Sequence, residues 1–157
     1  MNATAKGAGA QEAKPATVLA FDFGVKSIGV AVGNTVLRIA QPLTTIRDEA
    51  NAPRFAAIDA LIAEWTPDRL VVGQPLDEDG SDIEMTARAD RFARQLQARF
   101  GLPVARVDER FTTRSASQAL GDAGVRGRAR AEALDEVAAQ LILQAWFDDQ
   151  DAASMLR

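Results

Sequence analysis

Three places in the chain carry acids where an acid is costly or well placed for chemistry. Asp22 lies in VLAFDFGVKSIGVAVGN, residues 18–34, between Phe21 and Phe23 in a run that otherwise reads as a buried strand. An unpaired carboxylate there costs several kcal/mol of desolvation. Asp108 and Glu109 end a second apolar run, 103–107, and Asp135 follows Leu134 in a helical pattern. One turn beyond Asp135, Ala138 and Ala139 are small enough to let that helix lie close to a sheet. If the strands are ordered as their connections suggest, these acids meet at one sheet edge, where open α/β sheets bind ligands. Carboxylates crowded together raise one another's pKa, and a divalent cation supplies the missing charge. Two such ions about 3.5–4 Å apart polarise a phosphodiester, activate a water and stabilise the leaving oxygen. Lys26, Arg110 and Arg114 would then be placed to hold a nucleic-acid backbone.

Each residue also has a plainer reading. Asp22 could pair with Lys26 across the turn, Asp108 and Glu109 could be loop acids paired to Arg110, and Asp135 could serve a helix dipole. Ser81 and Thr112 are first of all helix caps, with contact to a nucleic-acid backbone a secondary role. The joint pattern shifts the odds toward a site.

Composition narrows the chemistry. The 157 residues contain neither cysteine nor histidine, which removes disulfides, thiolate and imidazole nucleophile systems and the usual zinc ligands. Any metal must be held by oxygen, which points to Mg²⁺ or Mn²⁺. The net charge of −4 argues against a globally basic nucleic-acid binder, but the charge is uneven. Residues 84–130 hold ten arginines against five acids, a net of +5, whereas 131–157 come to −5. Arginine is the cation best suited to bidentate phosphate contact. The arginines between 88 and 99 also suit a merely solvated helix face. Residues 1–16 are polar and rich in Ala and Gly, and read as a disordered arm. They have no signal-peptide core, and no stretch is apolar enough to span a membrane, so a cytoplasmic location is the expectation.

The elements that must position these side chains follow from pattern. A hairpin over 18–32 is followed by a third antiparallel strand over 37–46. Asn51 and Pro53 suit the start of a helix whose stripe is Phe55, Ile58, Leu61, Ile62 and Trp65. Leu70–Val72 is a short buried strand, and Ser81 to Glu84 has the form of a capping box. That helix carries Met85, Ala89, Phe92, Leu96 and Phe100 on one stripe and ends at Gly101. A strand over 103–107 and a short helix from Thr112 or Thr113 precede a last helix over about 129–148. Its stripe is read as Leu134, Val137, Ala138, Leu141, Ile142, Ala145 and Trp146. The order βββ-α-β-α-β-α-α predicts an α/β fold, a mixed sheet with helices on both faces. A single domain over 17–149 and a flexible tail over 150–157 are expected.

FDFGVKSIGVAV, VVGQPLDEDGS, VDERFTTRSA and LDEVAAQLILQ resemble, in order and spacing, the four motif blocks of the bacterial YqgF/RuvX family. That family is described as pre-16S rRNA nucleases and earlier as Holliday junction resolvases. The D-E-R-x-T-T block is its most specific part. The resemblance implies an RNase H-like five-stranded fold and Mg²⁺- or Mn²⁺-dependent phosphodiester hydrolysis with two ions. It implies a catalytic and metal-binding set of Asp22, Glu109 and Asp135, with Asp108 as a further acid of the same block. Lys26, Arg110, Thr112 and Arg114 would bind substrate: precursor rRNA at or near the small ribosomal subunit, or a branched DNA. The chain departs from the family pattern at Asp77, Glu78 and Asp82, which load the 77–82 loop with negative charge. Two other functions compete. Actin-like and sugar-kinase ATPases share the D-x-G hairpin but need a second such domain, and a non-catalytic RNA-binding assembly factor could keep the fold.

Overall fold

The computed structural model describes residues 15–110 and 127–155, with side chains in the latter segment from 133 to 150. Within these residues the elements are β1 (Thr17–Phe23), β2 (Ile28–Asn34), β3 (Gln41–Ile46), α1 (Asn51–Trp65), β4 (Arg69–Gln74), α2 (Glu84–Phe100), β5 (Val104–Asp108) and α3 (Gly127–Met155). They form one five-stranded sheet in the order β3-β2-β1-β4-β5. β2 is antiparallel to both β1 and β3, and β4 and β5 run parallel to β1. The expected mixed sheet is therefore what forms. The expected helix after Thr112 or Thr113, like Thr112 and Arg114 themselves, lies outside the described residues.

Strand alternation divides the interior into two layers. Leu19, Phe21, Leu70 and Val72 face α1 and α2 and pack on Ile58, Phe92 and Leu96. Val18, Ala20 and Val71 face α3 and pack on Ala139, Ile142, Leu143 and Phe147. Phe92 centres the first layer, edge-on to Phe21 at 5.9 Å and tilted against Phe23 at 4.9 Å. On α3 the buried stripe is Ala138, Ala139, Ile142, Leu143 and Phe147, a rotation from the expected one. Leu141, Ile142 and Leu143 form a continuous apolar run, as do Ala145, Trp146 and Phe147, so periodicity alone could not choose between the two faces. No helix among the described residues is long and apolar enough to cross a membrane.

Two local expectations are corrected. The third strand starts at Gln41 rather than Leu37, because Arg38 adopts a left-handed φ of 56° and turns the chain. Leu37 and Ile39 are consequently exposed, at 67% and 60%. Gln140 and Gln144 of α3 hold this connection through the backbone of Ala40 and Arg38. At α2, Ser81 is not the cap. Its hydroxyl donates to Asp79, and the helix begins at Glu84, where Thr86 Oγ1 accepts the Ile83 N–H and donates to the Pro75 carbonyl. α1 likewise begins at Asn51, with Ala50 at the cap position.

Candidate active site

β1, β4 and β5 are parallel, so their C-terminal ends meet at one edge of the sheet. Asp22 is the penultimate residue of β1, and Glu109 directly follows β5. Alternation turns both toward α3: Asp22 lies between Phe21 and Phe23, which face α1 and α2, and Glu109 follows Val107, which faces α3, by two residues. Glu109 is anchored by its N–H, which donates to the Gln74 carbonyl at 3.1 Å.

Two glycines allow the approach. Gly29 pairs with Asp22 across the hairpin, and a Cβ on it would lie 1.9 Å from the backbone oxygen of Asp135. The α3 backbone therefore rests directly on β2 beside Asp22. A Cβ on Gly73 would lie 2.5 Å from both Glu109 Oε2 and Ile142 Cδ1, so this glycine on β4 is the seat of the Glu109 carboxyl group. Glycine inside a strand pattern is a signal of close approach, and it was available in both S-I-G-V and V-V-G-Q.

Asp22 and Glu109 are hydrogen-bonded to each other. The surroundings of both carboxyl groups disfavour the charged form. Burial, the Glu109 charge and the Asp135 charge all push Asp22 well above the ordinary carboxylate range. Burial, with the Asp108 charge, pushes Glu109 up to about 7, and the bond from Asp22 works in the opposite sense. Asp135 is held separately: the Ser27 hydroxyl donates to its Oδ2 at 2.7 Å.

This donor set fits a hard divalent cation at one point, the Asp22–Glu109 pair. It is all oxygen, half-buried and short of positive charge, and a cation would supply that charge. With Asp135 turned to Ser27, no three acids among the described residues form a ready metal cage.

The remaining candidates separate. Asp108 points to the opposite face of β5, where the Arg110 guanidinium binds it at 2.6 Å and holds its carboxyl group below the usual range. Arg110 also donates to the Glu78 carbonyl at 3.2 Å, tying the acidic loop to β5. That loop is folded on itself, with Gly80 N–H donating to the Asp77 carbonyl and Asp77 N–H to the Ser81 carbonyl. Lys26 is exposed on the turn after β1 and does not pair with Asp22. That turn is held by Arg54, only 4% exposed, which donates to the carbonyls of Gly24 (2.6 Å), Val25 (2.7 Å) and Asp48. Nothing in the sequence marks Arg54 or Ser27, because their partners lie 30 and 108 residues away.

A family model described as "RuvX: Holliday junction resolvase" matches residues 16–149. The chain belongs to the RuvX family. It is 52% identical over 136 residues to a Burkholderia lata protein named "Putative pre-16S rRNA nuclease", covering 87% of this chain and 91% of that one. A Dechloromonas aromatica protein of the same name is 54% identical over 132 residues, covering 84% and 90%. Among solved structures, Thermus thermophilus RuvC in complex with a Holliday junction substrate is similar with a TM-score of 0.54 at 15% identity, covering 87% of this chain and 96% of that one. The Fowlpox virus resolvase is similar at 0.52 and 9%, covering 85% and 98%. These likenesses establish the RNase H-like fold of this family member.

Proposed function

We propose that the chain is a divalent-metal-dependent nuclease that hydrolyses RNA phosphodiesters and matures the 5′ end of pre-16S rRNA. The observation that carries this reading is the meeting of the Asp22 and Glu109 carboxyl groups at the C-terminal edge of the parallel strands, with the Asp135 backbone seated on Gly29 opposite Asp22. The names of the Burkholderia and Dechloromonas relatives support the RNA substrate.

Asp22 and Glu109 would hold the cation, with Asp135 completing the set on release from Ser27. Mg²⁺ or Mn²⁺ bound there would supply Lewis-acid activation of the phosphodiester and of a water. The chain's own part is positional. Gly73 and the Gln74 carbonyl set Glu109, Gly29 sets Asp135 against β2, and Arg54 sets the turn that carries Lys26 and Ser27. Lys26, exposed on that turn, is free to meet a phosphate. Arg110 is bound to Asp108 and the acidic loop, so its contact with substrate requires exchange of that ion pair.

The test is cleavage of a precursor 16S 5′ fragment, with a four-way DNA junction in parallel because the family model carries the resolvase description. Asp22→Asn and Glu109→Gln should abolish Mg²⁺- or Mn²⁺-dependent cleavage while the fold persists, and EDTA should abolish it in the wild type. Undiminished cleavage by either variant would overturn the proposal. Cleavage of the junction alone would reassign the substrate to DNA.

A further inference from the structure

Phe23 follows Asp22 and, by alternation, points to the other face of the sheet. There it forms part of a cavity of about 290 Å³ between α1 and α2. Its floor is aromatic, from Phe23 and Phe55 with Phe92 beneath. Its walls are arginines: Arg54 from α1, and Arg88 and Arg91 from α2. Arg54 is already committed, stacked over the Phe23 ring at 5.3 Å with its guanidinium on three carbonyls. Arg88 and Arg91 are not. Both are exposed on the solvent side of α2 three residues apart, and neighbours at that spacing share a helix face. Arg88 has only a long contact of 3.5 Å with exposed Glu84, and no ion pair engages Arg91 among the described residues. Elsewhere on the same helix, Arg99 is tied to Asp59 at 2.9 Å.

We infer that this cavity is a nucleotide subsite, taking one residue of a single-stranded RNA that flanks the scissile phosphate. This deepens the nuclease reading and rests on it for the substrate class. The phosphate sits between Arg88 and Arg91, and the base packs on the part of the Phe23–Phe55 floor left open by Arg54 and Arg99, which each stand over one of the rings. Guanidinium groups beside an aromatic floor match a phosphate beside a base, the pairing that single-strand binders use without reading sequence. An acidic peptide would use the arginines but leave the rings unmatched. The position suits the chemistry, because a strand crossing the end of β1 meets Asp22 on one face and Phe23 on the other. The rigid Arg54 contacts join that floor to the turn bearing Lys26 and Ser27, so the subsite and the carboxylates share one support.

The test is fluorescence-anisotropy titration of a 5′-fluorescein single-stranded 12-mer RNA in EDTA, so that no turnover is needed. Arg91→Ala should weaken binding about fivefold to tenfold and lower the slope of log K against log salt by about 0.7, the value for one phosphate contact on a single strand. Arg94→Ala removes the same charge from the same helix outside the cavity, and should change binding less than twofold. A 4-thiouridine 12-mer should crosslink to the peptides that contain Phe23 and Phe55. Equal losses in Arg91→Ala and Arg94→Ala, or crosslinks that avoid both peptides, would overturn the inference. A wild type that cleaves RNA while those results fail leaves the nuclease reading standing. A wild type that binds as expected but never cleaves would refute the nuclease reading alone. A wild type that neither binds nor cleaves RNA refutes both.

Discussion

Replacing Gly29 by alanine tests the geometry most directly, because the obstacle it meets is backbone. The new Cβ would lie 1.9 Å from the Asp135 oxygen, 2.4 Å from its carbonyl carbon and 3.1 Å from its Cα, where ordinary contact begins at 3.4 Å. No rotamer change relieves this, so α3 must retreat from β2 by about 1.5 Å at Asp135. Overpacking of this kind costs about 1–3 kcal/mol, or roughly 3–10 °C in Tm for a domain of this size. The functional cost is larger in proportion. Asp135 would move away from Asp22, and a misplacement of about 1 Å in a catalytic constellation can cost on the order of 100-fold in rate. Calorimetry and single-turnover cleavage of the precursor fragment should therefore show a modest fall in Tm and a fall of about 100-fold in rate. Gly101→Ala is the control. Gly101 has a left-handed φ of 67° with no atom within 4 Å of its would-be Cβ, so alanine there costs about 1 kcal/mol of backbone strain and leaves cleavage unchanged. A Gly29→Ala chain with wild-type rate and wild-type Tm would refute the claim that α3 rests on this glycine.

Two further predictions concern the same region. Because Asp22 and Glu109 are both raised, the folded chain binds more protons than the unfolded chain, and their contribution to stability is greatest below the unfolded value near 4.5. Without metal, the Glu109 share should be lost as the pH rises to about 7, on the order of 3 kcal/mol. Added Mg²⁺ should restore stability at pH 8, and Glu109→Gln should flatten the metal-free profile. Equal slopes in wild type and variant, by calorimetry between pH 5 and 8, would exclude the pair as its source. Asp59, Asp79 and Asp108 are shifted the opposite way and act in a lower window, below their usual value of 3.8. Arg54→Met should leave the Gly24 and Val25 carbonyls without their charged donor and cost about 3 kcal/mol, seen as a drop of roughly 10 °C in Tm. A Tm within 2 °C of wild type, on the order of 0.5 kcal/mol, would show that the turn holds itself.

Local pattern in this chain is enough to order the strands and helices and to single out its unusual acids. Each rests on interactions a few residues long: apolar alternation in VLAFDF, helical spacing from Phe55 to Trp65, and a carboxylate flanked by two phenylalanines. Absence of cysteine and histidine narrows the chemistry to oxygen ligands in the same local way. Long-range register decides the rest. It selects which of two adjacent apolar stripes of α3 meets the sheet, because only the sheet surface distinguishes Leu143 and Phe147 from Leu141 and Ala145. It sends Asp108 and Glu109 to opposite faces of one strand, leaving Glu109 with Asp22 and giving Asp108 to Arg110. It also recruits Arg54, Ser27, Gly29 and Gly73, ordinary residues until partners distant in sequence reach them. The acids are legible in one dimension because burial of charge is locally anomalous, whereas their geometry arises from contacts that exist only once the strands are side by side.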